Sequence, residues 1–209
     1  MSTVPFSQFQ TNASNPRSLR HNFVTSFCPD PLEPERYLWV STKGGGLNLL
    51  DKTTGEFQHF TSQNSGLPND VVYGILPDNL GNLWMSTNRG LSRLKVRASP
   101  QPPKEGVKLL ASLGEARTYR FRNFREFDGL QGDEFNTGSF AKDKEGKLFF
   151  GGVNGLTAFD PAQIMDRKTD APTHITRLKI NNLPVDFFAA LQGGRGVNSP
   201  LDRPIHRTE

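Results

Sequence analysis

Apolar residues in this chain come in short runs broken by polar turns, and no long stretch keeps the three-to-four spacing of an amphipathic helix. The clearest unit is Leu83 to Leu94, LWMSTNRGLSRL, two short apolar runs joined by a polar turn that closes on glycine. The pattern recurs upstream as LWVSTKGGGLNLL (Leu38 to Leu50) and downstream as LFFGGVNGLTAF (Leu148 to Phe159). Each predicts a β-hairpin. Ahead of each hairpin lies another apolar run ending in Asp: FVTSFCPD from Phe23, VVYGILPD from Val71 and FNTGSFAKD from Phe135. Aromatic segments complete the cycle: PFSQFQ from Pro5, GEFQHFTSQNSGL from Gly55 and TYRFRNFREFDGL from Thr118.

The register of this repeat is numerical. Trp39 and Trp84 are 45 residues apart, whereas Asp78 to Asp143, Leu83 to Leu148 and Leu91 to Leu156 are each 65 apart. A constant offset at three landmarks places one insertion outside the hairpin, in the Pro-rich stretch RASPQPPKEG, Arg97 to Gly106. A period of about 45 residues with four short strands per unit is that of propeller blades. The strands expected are 23–30, 38–42, 47–51 and 56–61 in blade one, and 71–76, 83–87, 91–95 and 118–124 in blade two. Blade three takes 136–141, 147–151 and 156–159, with Phe149 where the others have tryptophan. Phe6 and Phe9 match Phe57 and Phe60, so the chain is expected to open on the outer strand of a further blade. VKLLASLGEA from Val107 reads equally as a short helix or a loop, and DPAQIM from Asp160 as a single helical turn.

The run GLPNDVVYGILPDNLGNLWMSTNRGLSRL resembles the two-component regulator propeller repeat almost position for position. The segments APTHITRLKINNLPV (Ala171 to Val185) and SPLDRPI (Ser199 to Ile205) resemble the opening of the immunoglobulin-like module that follows such propellers. The resemblance implies an all-β chain: a partial β-propeller of about three four-stranded blades over 1–165, then the beginning of an immunoglobulin-like β-sandwich over 166–209. It also implies a periplasmic or extracellular sensor of a hybrid histidine kinase or related receptor, whose kinase or cyclase lies elsewhere. MSTVPFSQFQ has neither the basic start nor the apolar run of a signal peptide, and no stretch is apolar enough to span a membrane.

Composition narrows the alternatives. The 20 glycines and 15 prolines in 209 residues suit many short strands and turns rather than long helices. The net charge of +4 comes from 25 basic residues spread among 21 acidic ones, without the basic stripe that nucleic-acid binding needs. Cys28, the single cysteine, excludes an internal disulfide and reads as a small buried hydrophobe. Trp39 and Trp84 recur mid-strand at one repeat position and read as core rather than as sugar-stacking platforms. His21, His59, His174 and His206 lack metal-ligand spacing, and Asp78-Asn79-Leu80-Gly81 reads as a turn rather than a calcium loop. No nucleophile, phosphate-loop or dinucleotide motif occurs, so neither catalysis nor a cofactor is expected.

In a four-stranded meander, the turn between strands two and three lies at the same end as the loop leading into strand one. That end is expected to carry Lys43, Arg89 and Asn154 from the hairpin tips, with Arg20, Asn22, Asp70, Gln131 and Glu134 from the leading loops. These are the candidate ligand residues, and each reads individually as an ordinary solvated turn residue. The partners expected are a small molecule or an oligosaccharide, the remaining blades and signalling domains of a parent protein, and self-association through open blade edges. A glycan hydrolase or lyase would need acids or histidines converging on this face, where only Asp70 and Glu134 offer them. A protein-interaction scaffold is a third reading. An open three-blade arc with a poorly packed C-terminal tail is expected, because radial repetition protects strand edges only when a ring meets itself.

Overall fold

The computed structural model describes residues 6–98, 117–164 and 166, with the backbone of 178–180 and 183–185. Two compact units are present, Met1–Met165 and Asp166–Glu209. In the first, blade one comprises β1 (Val24–Pro29), β2 (Tyr37–Thr42), β3 (Leu47–Asp51) and β4 (Glu56–Phe60) in the sheet order β1-β2-β3-β4. Blade two repeats this with β5 (Val72–Pro77), β6 (Asn82–Thr87), β7 (Gly90–Ala98) and β8 (Arg117–Phe124). Blade three has β9 (Phe135–Lys142), β10 (Leu148–Gly152) and β11 (Gly155–Phe159), a three-stranded sheet. Pro161–Gln163 then forms the expected single turn, a 3-10 helix whose N-cap Asp160 accepts from the Ala162 amide. The described part of the second unit is one antiparallel hairpin, β12 (Leu178–Ile180) and β13 (Leu183–Val185).

Alternation along each strand divides its side chains between the two faces of the blade. One face of blade one carries Trp39, Leu47, Leu49 and Phe60, and packs on Val72, Ile75, Leu83, Met85, Leu94 and Val96 of blade two. The next interface repeats this with Trp84, Leu91 and Phe124 against Phe135, Leu148 and Phe150 of blade three. Trp39 and Trp84 are 0% and 1% exposed, so both indoles are core. Each ring lies 5.3 Å from its own blade's outer phenylalanine, Trp39 tilted against Phe60 and Trp84 stacked on Phe124. Each also meets a ring across the interface, Tyr119 at 6.0 Å for Trp39 and Phe159 at 4.7 Å for Trp84.

The aspartates ending the first strands hold these tryptophans. Asp78 Oδ2 accepts from Trp84 Nε1 at 2.9 Å and Asn82 Nδ2 at 2.7 Å, while its Oδ1 accepts the Leu80 and Asn82 amides. Asp30 repeats the arrangement with Trp39 Nε1 at 2.9 Å and the Leu32 and Glu33 amides. Asp30 has a further partner: the guanidinium of Arg117, at the start of β8, lies 3.1 Å away, bonds Glu33 and covers the Tyr37 ring at 4.3 Å. Burial alone would lower the Arg117 pKa, but the hydrogen bond to Glu33 and the charges of Asp30 and Glu33 outweigh it and raise it.

The structure corrects the start of the chain. Residues 6–23 form no strand; Phe9 instead meets Phe57 edge-on at 5.6 Å, and Leu19 is buried against Val40, Leu50 and Phe57. The reason is that an outer strand needs the free edge of a third strand, and β3 is already paired with β4. The Arg17 carbonyl accepts from the Phe57 amide at 2.8 Å. Burial lowers the His59 pKa, and its neutral ring donates from Nε2 to the Ser18 carbonyl at 2.8 Å. A second correction concerns the insertion: β7 continues through Arg97 and Ala98 and β8 begins at Arg117, so the third and fourth strands of blade two are longer than expected. The remainder of the insertion, the Val107 segment and most of the C-terminal tail lie outside the described residues.

Replacing Trp84 by Ala is expected to lower the unfolding free energy by about 3–5 kcal/mol, as for other large buried aromatics. Asp78→Ala, which strands the indole N–H and two turn amides, should cost about 1–3 kcal/mol. Urea titrations of both variants check this, and a Trp84→Ala loss below about 1 kcal/mol would contradict the core assignment.

Burial, with the Asp30 charge adding, pushes the Cys28 thiol from its ordinary 9.0 up to about 11. Burial likewise pushes the Tyr119 phenol up to about 12. Both folded-state values are raised, so the stability they contribute is complete below the unfolded values and is lost as pH rises through the folded ones. Unfolding free energy measured against pH should therefore fall on the alkaline side, beginning at about pH 9. Labelling of Cys28 by a thiol reagent at neutral pH should be limited by unfolding.

Candidate functional site

The hairpin tips and the loops leading into each blade are tied together by backbone bonds. In each blade the tip bonds the residue just ahead of its own first strand: Lys43 N to Phe23 O at 2.9 Å, Asn88 N to Val71 O at 3.3 Å and Val153 N to Glu134 O at 3.2 Å. Each of the first two tips also bonds the loop leading into the next blade. Gly44 and Gly46 donate to Asp70 O at 2.9 and 2.8 Å, and Gly90 donates to Asp133 O at 2.6 Å. Gly46 and Gly90 have positive φ, and a Cβ on either would collide with the carbonyl oxygen of Phe60 or Phe124. Glycine therefore lets the tip fold over the outer strand and reach the next loop.

One end of the blades thus carries the tip residues Lys43, Arg89 and Asn154 with Asp70, Gln131 and Glu134 of the loops. Lys43, Arg89, Asn154, Glu134, Arg20 and Asn22 are exposed. Lys43 Nζ lies 5.6 Å from the ring of Phe23, itself 54% exposed, so a cation and an aromatic face sit side by side. Three of the candidate side chains are committed to the loops. Asp70 Oδ1 accepts from Ser62 N, Asn22 Oδ1 accepts from Thr11 N, and Gln131 bridges Asn154 N to Glu134 O. These three order the rim, while Lys43, Arg89, Arg20, Glu134 and Asn154 project from it.

Two groups at this end escaped sequence reasoning. Asp133 receives the Gly90 amide and pairs with Arg125 at 2.9 Å, in the role Asp70 has one blade earlier. Its signal was available: Asp70 follows Leu67 by three residues as Asp133 follows Leu130, so Gln131 and Glu134 bracket the true equivalent. Tyr73 is the extra residue where the pairing of β5 with β6 shifts between Val72 and Gly74. Its hydroxyl donates to Asn88 Oδ1 at 3.1 Å, and burial followed by the Glu134 charge raises its pKa. The face offers cations, amides, carboxylates and an exposed aromatic ring, which suits a polar ligand held by hydrogen bonds. Among the described residues no group of three or more His, Cys, Asp or Glu is placed to hold a metal ion.

Lys43→Ala and Arg89→Ala should each change the unfolding free energy by less than about 0.5 kcal/mol. Gly90→Ala should cost more than about 1 kcal/mol, because its positive φ and the Phe124 carbonyl both oppose a Cβ. Thermal melts of the three variants separate projecting residues from those that build the rim.

Residues 66–89 match the two-component regulator propeller family. Histidine kinase P4 of Formosa agariphila is 25% identical over 141 residues, covering 68% of this chain and 9% of the kinase. The extracellular domain of a one-component system from B. thetaiotaomicron shares the fold with a TM-score of 0.50 and 19% identity, over 75% of this chain and 19% of that one. The extracellular domain of a hybrid two-component system from the same organism is matched at TM-score 0.40 and 19% identity, over 82% of this chain and 28% of that one. The chain therefore spans less than a third of the length of each of these three proteins.

Proposed function

We propose, from the two-component regulator propeller repeat that this chain carries, that it is a non-catalytic, ligand-sensing part of a receptor exposed outside the cytoplasm. The observation that carries the reading is the joining of hairpin tips to leading loops at one end of the blades, which gathers exposed polar side chains onto a common face. Residues 1–165 are the propeller portion and 166–209 the start of an immunoglobulin-like module. The proteins matched support a sensory role, since they are extracellular domains of signalling systems and a histidine kinase. The output domain that answers the ligand belongs to the rest of such a receptor. An oligosaccharide is the ligand class favoured here: Lys43, Arg89, Asn154 and Glu134 supply donors and acceptors, and Phe23 supplies an apolar ring face for a sugar to lie on.

Titration calorimetry against a panel of neutral and acidic oligosaccharides tests this. Binding by one class, weakened at least tenfold in Lys43→Ala/Arg89→Ala and unchanged in Lys144→Ala, is the expected outcome. Lys144 lies in the turn between β9 and β10, at the opposite end of its blade. Equal weakening by Lys144→Ala would move the site away from this face, and absence of binding across the panel would remove the oligosaccharide reading.

A further inference from the structure

Strand register gathers cations on blade two that sequence order keeps apart. β7 pairs with β8 so that Arg93 faces Arg122 and Lys95 faces Arg120, with Arg97 next along β7. Arg93 lies over the Trp84 ring and Arg122 over the Phe124 ring, so both are on the face turned to blade three. Alternation puts Lys95, Arg97 and Arg120 on that face as well. Arg93 is 4% exposed, Lys95 and Arg122 are half-buried, and Arg97 and Arg120 are exposed. The row thus begins beneath blade three and emerges along the flank of blade two, in steps of about 7 Å along the strand with paired cations about 5 Å apart at Cβ.

Folding does not call for this charge, because like charges directly opposite each other cost a sheet stability. Blade one shows the alternative at the same places. Leu47 is equivalent to Leu91 and Phe60 to Phe124, so Arg93 with Arg122 stands where Leu49 faces Gln58, and Lys95 with Arg120 where Asp51 faces Glu56. The two blade-one acids are answered by Arg36 and Arg17. Counted from Trp84 and Leu67, the equivalents of those arginines are Gly81 and Ser65, which carry no charge. Blade two therefore inverts the sign at two positions and omits the countercharges. The opposite face of β7 and β8 is engaged: Val96, Tyr119 and Phe121 belong to the core shared with blade one, and Arg117 binds Asp30 and Glu33. That anchorage holds the cationic face in a fixed place.

We propose that this face is a second binding surface, for a linear acidic glycan that carries a carboxylate or sulfate on successive sugars. Guanidinium groups take such oxyanions through two parallel hydrogen bonds, and an extended row of cations suits a chain with regularly spaced charges better than a single small anion. The row follows the flank of a blade, which a chain can trace and a flat lipid surface would meet only at its outer end. The choice of a glycan over an acidic peptide rests on the oligosaccharide reading above. The site itself is separate from the tip face, since Lys95, Arg97 and Arg120 lie toward the end of blade two opposite Arg89.

Calorimetry with oligogalacturonate and with heparin oligosaccharides, the carboxylate and sulfate arms, tests this in the Lys43→Ala/Arg89→Ala background, which removes the tip cations from the measurement. At least one of the two should still bind there, weaken with rising salt, and lose at least tenfold in affinity when Arg97→Glu/Arg120→Glu is added. Both arginines are exposed, so thermal melts should show that this variant folds as its parent does. Lys144→Glu/Lys147→Glu makes the same change of charge at two other exposed positions and should leave binding in place. Loss of all acidic-glycan binding with the tip cations gone, or equal weakening by Lys144→Glu/Lys147→Glu, would overturn the proposal and leave the oligosaccharide reading standing. Capture of polyaspartate or phosphatidylglycerol vesicles through Arg97 and Arg120 in place of either glycan would overturn it as well. The oligosaccharide reading fails independently, when no glycan binding depends on Lys43 and Arg89.

Discussion

A buried carboxylate that accepts an indole N–H is the constraint from which the blade stack follows. An ionised Asp removed from water is costly unless its oxygens are filled, and Asp30 and Asp78, 1% and 6% exposed, fill theirs from the turn amides and the tryptophan. That one set of bonds closes the turn between the first two strands and fixes the orientation of the Trp39 and Trp84 rings. The oriented rings then present their apolar faces to the next blade. A local polar arrangement so decides how a large apolar surface is stacked.

Blade three shows what happens when one member is missing. Phe149 has no N–H to give, and Asp143 is correspondingly only half-buried, accepting the Lys147 amide at 2.7 Å in the hydrogen-bonding place that Asn82 fills for Asp78. Phe149 is half-buried too, on the face that meets no further blade among the described residues. The tryptophan is retained where a neighbour covers it, in keeping with burial and not hairpin formation being what the indole serves.

Much of this was legible in the sequence because a repeat states each rule more than once. The period, the three hairpins, the core tryptophans and the insertion point all came from comparing one copy with another. The roles of Asp30 and Asp78 were present as a recurring letter but carried no meaning until the side chain turned inward beneath the indole. Arg117 was invisible for a different reason: its partners Asp30 and Glu33 are far away in sequence, and adjacent residues in a strand give no sign of which one reaches across an interface. The first residues were misread because the spacing of Phe6 and Phe9 matches that of an outer strand, while strand formation also requires a free edge, which sequence similarity does not report.

The candidate face was legible only in outline, and the physical reason bears on how such a face varies. Backbone bonds such as Gly44 and Gly46 to Asp70 O, and Gly90 to Asp133 O, hold the tips to the loops without using most tip side chains. The side chains of Lys43, Arg89 and Asn154 are therefore not needed for the tip-to-loop bonds, and no packing rule dictates their identity. Specificity residues of this kind leave no periodic trace, whereas the glycines and aspartates that position them do. The repeat encodes the frame of the face and leaves its chemistry free, so the frame is readable from one sequence while the ligand has to be measured.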